Sequence, residues 1–155
     1  MQLVVEKKVR AAYLLAGATL AAALSFASSA QAAKLASCAS ISAGQSCGAS
    51  SGPLTATMVP STHHPKVNAP WPLHVTATLM GKPAHARAIY QFLFGGAVVS
   101  TQYPGKDNKH FTFVGSFNDN LVFPKTAVGY PLTLQVVIKD GGRTVNLDWP
   151  IDTVK

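Results

Sequence analysis

The stretch LTLQVVIKDGGRTVNLDWPI, residues 132–151, decides the fold. Leu132, Leu134, Val136 and Ile138 alternate with polar or smaller residues, and beyond a glycine-bearing turn Val145, Leu147, Trp149 and Ile151 alternate with Thr144, Asn146, Asp148 and Pro150. A period of two is that of a strand with one dry face. Whether the two-residue turn is Asp140-Gly141 or Gly141-Gly142, the register keeps both apolar sets on one side, and a one-residue slip would turn one set outward. Pro150 has no amide donor, which predicts that the final strand runs at an edge or through a bulge.

The same pattern extends towards the N-terminus. Leu73 to Leu79 alternates Leu73, Val75, Ala77 and Leu79 with His74, Thr76 and Thr78. Met80-Gly81-Lys82-Pro83 turns the chain, Ala86 to Phe94 carries Tyr90, Phe92 and Phe94 on one side, and Gly95-Gly96 joins it to Ala97–Gln102 as a hairpin. After a turn over Tyr103–Asn108, Phe111, Phe113 and Phe117 mark a further strand around Gly115, which Asn118-Asp119-Asn120 is expected to break. Leu121-Val122-Phe123 reads as a short extended piece and Pro124 to Tyr130 as a loop. Beyond residue 33 no segment keeps a helical period for more than a turn. About seven short strands within residues 53–155 predict an all-β, immunoglobulin-like antiparallel sandwich.

The run from Leu121 to Pro124, then Val128-Gly129-Tyr130-Pro131-Leu132-Thr133-Leu134-Gln135-Val136-Val137, then Gly141-Gly142-Arg143-Thr144, resembles the closing half of bacterial secreted immunoglobulin-like domains related to fibronectin type III modules. It is similar to small exported actinobacterial proteins of that kind. The resemblance spans residues 53–155 and implies a fold, with no particular chemistry. It lacks an inter-sheet cysteine pair and a tryptophan on the strand 86–94, so antibody-type packing is not expected. Tyr130 stands where a tyrosine corner would be.

The N-terminal region has a different character. Lys7, Lys8 and Arg10 precede an uncharged run from Ala11 to Ala33, and Ala30 with Ala32 fits the small-residue pattern of a signal peptidase site. Residues 1–32 are therefore expected to be a signal peptide, with the exported chain starting at Ala33. The run is also long enough for an uncleaved membrane anchor, and Leu35-Ala36-Ser37-Cys38 looks like a lipobox, although Lys34 just before it argues against lipidation. Residues 33–52, rich in Ala, Ser and Gly, are expected to be a flexible linker. In an oxidising compartment its two cysteines, Cys38 and Cys47, should pair locally and leave the main core untouched.

Composition narrows the functions available. The chain is basic, with a formal net charge of +7, but its cations are scattered apart from a cluster at Lys106–His110. That argues against nucleic acid and allows only loose contact with anionic envelope polymers. Beyond residue 32 the acids are Asp107, Asp119, Asp140, Asp148 and Asp152, mostly at turns or outward strand positions, so no carboxylate pair for glycoside hydrolysis is visible. No G-x-S-x-G elbow or phosphate-binding loop is present.

No catalytic or cofactor-binding residue is expected, and the chain reads as a non-catalytic domain that binds an unidentified protein or cell-wall component through a sheet face or edge. Ile89 and Leu93, with Val98 across the hairpin, put apolar residues on the second face of the strand 86–94, which suggests that something covers it. The alternative is a copper or zinc carrier using His63, His64, His74 and His110, with His85 as the fifth histidine. Pro65 holds His64 extended, so His63 and His64 should point to opposite sides. All five are expected to be solvated, with His63→Ala and His110→Ala nearly neutral for stability.

Overall fold

The computed structural model describes residues 35–105 and 110–155. The expected signal peptide and its cleavage site lie outside the described residues, as do Lys106–Lys109 of the basic cluster.

Among the described residues eleven strands form two sheets. They are β1 (Leu35–Ser37), β2 (Cys47–Ser51), β3 (Leu54–Pro60), β4 (Pro70–Leu79), β5 (Lys82–Pro83), β6 (His85–Phe94), β7 (Ala97–Gln102), β8 (Thr112–Val114), β9 (Ser116–Val122), β10 (Pro131–Asp140) and β11 (Arg143–Asp152). One sheet runs β1-β11-β10-β6-β7, with β8 also beside β6; the other runs β2-β3-β4-β5, with β9 also beside β4. The chain crosses between sheets from β1 to β2, from β5 to β6, from β8 to β9 and from β9 to β10. As a result β4 pairs with β9 in one layer while β6 pairs with β10 in the other. That interlocked arrangement is the Greek key of an immunoglobulin-like sandwich.

The β10–β11 hairpin has the expected register, with Leu134 opposite Trp149 and Val136 opposite Leu147, all four inaccessible to solvent. Its turn is Gly141-Gly142, and both residues have positive φ, 53° and 83°. A type I′ turn needs that conformation, and glycine adopts it without a Cβ clash. Facing this layer across the core are Leu54, Ala56, Met58, Trp71, Leu73, Val75 and Ala77 of β3 and β4. Pro150 lies beyond the last β11 residue that β1 pairs, Asp148, at the edge of the sheet, where no strand calls for its missing donor.

Three expectations need correction. The expected break at Asn118-Asp119-Asn120 does not occur, since β9 runs unbroken to Val122. The chain breaks instead at Gly115, where it leaves β6 and joins β4. Gly115 has φ 70°, donates to the carbonyl of Ala84 at 2.9 Å and accepts from Ala77 at 2.7 Å. Polar side chains on alternate positions of an edge strand face water, which is why they do not interrupt it.

Residues 33–52 are not a flexible linker over their described part. β1 lies parallel to β11, β2 is antiparallel to β3, and the Cys38 amide donates to the carbonyl of Asp148 at 2.8 Å. Backbone pairing and burial of the cysteines supply what the small side chains lack. Cys38 and Cys47 are disulfide-bonded, 5.8 Å apart at Cα, and both belong to the main core, at 0 % and 4 % exposure. A bonded, buried sulfur is not the free thiol that lipid attachment at Cys38 would need.

Thirdly, Tyr130 makes no tyrosine corner. Its side chain is half exposed and meets Phe94 edge-on, with centroids 6.0 Å apart.

Candidate functional site

The two layers are not closed alike along their sides. β7 pairs only with β6 in its sheet, and β9 only with β4 in the other, so both carry an unpaired outer edge among the described residues. Between them the sandwich opens into a groove. Phe92, Leu121, Phe123 and Leu132 form its floor, while Val99 and Val122 stand at its lips. The groove continues past Val99 into a second apolar hollow walled by Phe94 and Tyr130.

Val99 is there because β7 is bulged. Phe92 pairs with Ser100 and Leu93 with Val98, leaving Val99 as the extra residue. Such a bulge re-aims a side chain at a sheet edge. Of the seven exposed large apolar side chains among the described residues, four line this opening: Phe94, Val99, Val122 and Tyr130. The sequence pointed elsewhere, to the outer face of β6. There Ile89 and Leu93 are half-buried and Val98 is exposed, while Val137, beside Ile89 on β10, is covered. Phe94 and Tyr130 could have been suspected from their positions next to turns; the bulge at Val99 leaves no mark in the residue pattern.

A second cluster joins sequence-distant residues at one end of the sandwich. The indole N–H groups of Trp71 and Trp149 both donate to the carbonyl oxygen of Thr62, at 3.0 and 3.2 Å. The imidazole of His63 lies flat on Trp149, with centroids 3.9 Å apart and planes within 1°. Its Nδ1 is 2.8 Å from the carbonyl oxygen of Pro150 and its Nε2 is 2.8 Å from that of Ile41. The expectation that His63 is solvated is overturned: two carbonyls and an indole occupy its ring. The sequence held one cue, since Pro60 and Pro65 bracket the segment and stiffen it.

The remaining candidate metal ligands are placed apart. His64 is exposed, with Nδ1 3.9 Å from a carboxylate oxygen of Asp152. His74 lies on the outer side of β4 with Nδ1 2.7 Å from Asn118 Oδ1, and His110 and His85 are exposed. His63 and His64 do point to different surroundings, as the extended backbone predicts. Among the described residues no three His, Cys, Asp or Glu side chains converge on a point that could hold a metal ion.

Among the described residues two titrating groups, Tyr90 and Asp148, are perturbed. Burial pushes the Tyr90 hydroxyl far above the ordinary tyrosine range, and the negative charge of Asp119 and the hydrogen bond to it add to the rise. Burial also raises Asp148, against a lowering contribution from its hydrogen bond to Gln135.

Fold and site together define an immunoglobulin-like sandwich with a lateral apolar groove and a histidine-pinned end. No protein family, curated protein or solved structure matches the chain.

Proposed function

We propose that this is a non-catalytic binding module, exported and acting outside the cytoplasm or at the cell envelope, whose partner enters the β7–β9 opening as an extended apolar segment. The observation that carries the reading is the gathering of four exposed large apolar side chains at that one opening. An unpaired strand edge offers main-chain donors and acceptors to an added strand, and the groove beneath accepts every second side chain. The disulfide is compatible with an oxidising compartment, and the basic, apolar, small-residue order of residues 1–32 supports export. The resemblance to secreted immunoglobulin-like domains agrees with both.

Alternating Val-Thr heptapeptides titrated into the isotopically labelled protein test the groove. Chemical-shift changes should concentrate on the amides of residues 97–102 and 116–122. Val99→Lys should abolish them while changing stability by no more than about 0.5 kcal/mol, the scale of an exposed substitution. Changes confined to the outer face of β6, or none at millimolar peptide, would reject the groove. N-terminal sequencing of exported material should give Ala33; an intact Met1 would reject cleavage.

A further inference from the structure

His63 meets two groups that can only accept. Its Nδ1 and Nε2 each lie 2.8 Å from a main-chain carbonyl oxygen, of Pro150 and of Ile41. A carbonyl oxygen carries no proton, so each contact requires an N–H on the ring. Neutral imidazole has one and imidazolium has two. The face of Trp149, 3.9 Å away and parallel, favours the same form, because a cation over an indole is attracted by the ring's negative face. We propose that His63 is a proton-operated latch. With two N–H groups it fastens the disulfide loop, through Ile41, to the end of β11, through Pro150; when it loses a proton, one fastening must open.

The bond that opens is the one to Ile41. On the other side, Asp152 donates its amide to the carbonyl of His63 and Val154 to that of Pro65, both at 2.9 Å, so His63 stays beside β11 whatever its ring does. Among the described residues the disulfide loop, Ala39–Ser46, is joined to this region also by a main-chain bond from Gly44 to the carbonyl of Pro60, at 3.0 Å, and by the half-buried Ile41 side chain resting on the core. Releasing Ile41 therefore loosens the loop over the covered end of the two tryptophans.

The other charged groups around the latch are few. β11 brings Asp152, whose carboxylate lies towards His64, and Asp148, which is bonded to Gln135. The 61–65 segment brings His64, and β4 brings His74, bonded to Asn118. The loop 39–46 brings none. Because both contacts need an N–H, the fastened loop belongs to the doubly protonated ring, and stability should be greater in acid than in alkaline solution.

The test uses the oxidised protein with ¹⁵N-labelled histidines. Ring ¹⁵N–¹H correlation at pH 5 should show both nitrogens of His63 protonated, and loss of one proton on raising the pH should shift the amides of Ile41 and Ser42. Melting temperature should fall by about 4 °C or more between pH 5 and pH 8. His63→Phe keeps the stack and has no N–H, so it should lose most of that fall, whereas His64→Ala should retain it. A single-N–H tautomer of His63 at pH 5, or a His63→Phe protein with the full wild-type pH dependence, would overturn the latch. If His63→Phe does not fold, the ring spectrum of the wild type decides alone.

Discussion

Tyr90, at the centre of β6, donates its hydroxyl across the sandwich to the carboxylate of Asp119 on β9, at 3.1 Å, so one hydrogen bond ties the two sheets together beside the open groove. The tyrosine is inaccessible to solvent, and its phenol can lose a proton only next to a carboxylate and away from water.

Tyr90→Phe should therefore destabilise the domain by about 1–2 kcal/mol in a denaturant melt, the cost of leaving a part-buried carboxylate without its donor. The phenol is raised in the folded state, so its contribution is fully present below the ordinary tyrosine range and is lost as the pH rises above it. Absorbance titration of the folded protein should leave Tyr90 un-ionised until alkaline unfolding begins. A wild-type titration with every tyrosine ionising in the ordinary range while the fold persists would contradict the contact.

Replacing Cys38 and Cys47 together by Ser should cost about 2–5 kcal/mol, because the bridge closes a loop whose ends sit in the main core. The sequence alone predicted almost no effect. The two outcomes are separated by a thermal melt with and without reductant, and an unchanged transition would restore residues 33–52 to the status of a tether.

Gly115→Ala should lower stability by at least about 1–2 kcal/mol. Its φ is 70°, and a Cβ built there would stand 3.0 Å from the Cβ of Pro83. Strain and crowding act together where the chain changes sheets. Equilibrium unfolding of the Ala variant measures this, and a neutral result would mean that the crossing is made elsewhere.

Asp148→Asn should stabilise the protein slightly at neutral pH. Burial raises Asp148, so its favourable, protonated contribution is present below the ordinary aspartate value and is lost as the pH rises through the raised one. Asn keeps an oxygen for the Gln135 amide, which donates at 2.8 Å, and carries no charge to desolvate. The gain should vanish in acid melts; a loss of stability at neutral pH would show that the charge itself is needed.

Trp149→Ala should cost about 3–5 kcal/mol, since it empties a fully buried site. It also removes the donor to Thr62 and the surface on which His63 rests. His63→Ala should also destabilise measurably at pH 5. A His63→Ala melt coinciding with that of the wild type would mean that the stack and its two bonds add nothing.

The sequence by itself determined the strands whose two faces differ. In β4, β6 and β11 the period of two separates covered residues from more exposed ones, and the glycine pair at the β10–β11 turn sets that hairpin's register, so Leu134, Val136, Leu147 and Trp149 are assigned to one buried face by the sequence itself, although β10 is covered on its other face too, at Gln135 and Val137. These are local facts, carried by neighbours in the chain. What tertiary structure alone decided depends on partners far away in sequence. The small residues of β1 and β2 have too little side-chain area to predict order, and they are ordered because β11 and β3 supply backbone partners. Asn118-Asp119-Asn120 has the composition of a turn and is extended because β4 pairs with it. His63 has the composition of a solvated residue and is held because the disulfide loop, through Ile41, and β11, through Trp149 and Pro150, converge on it. The groove arises in the same way, from a bulge and two sheet edges brought side by side by the Greek key. Periodicity reports which way a side chain points along its own strand, while only the packing of strands determines what it meets there.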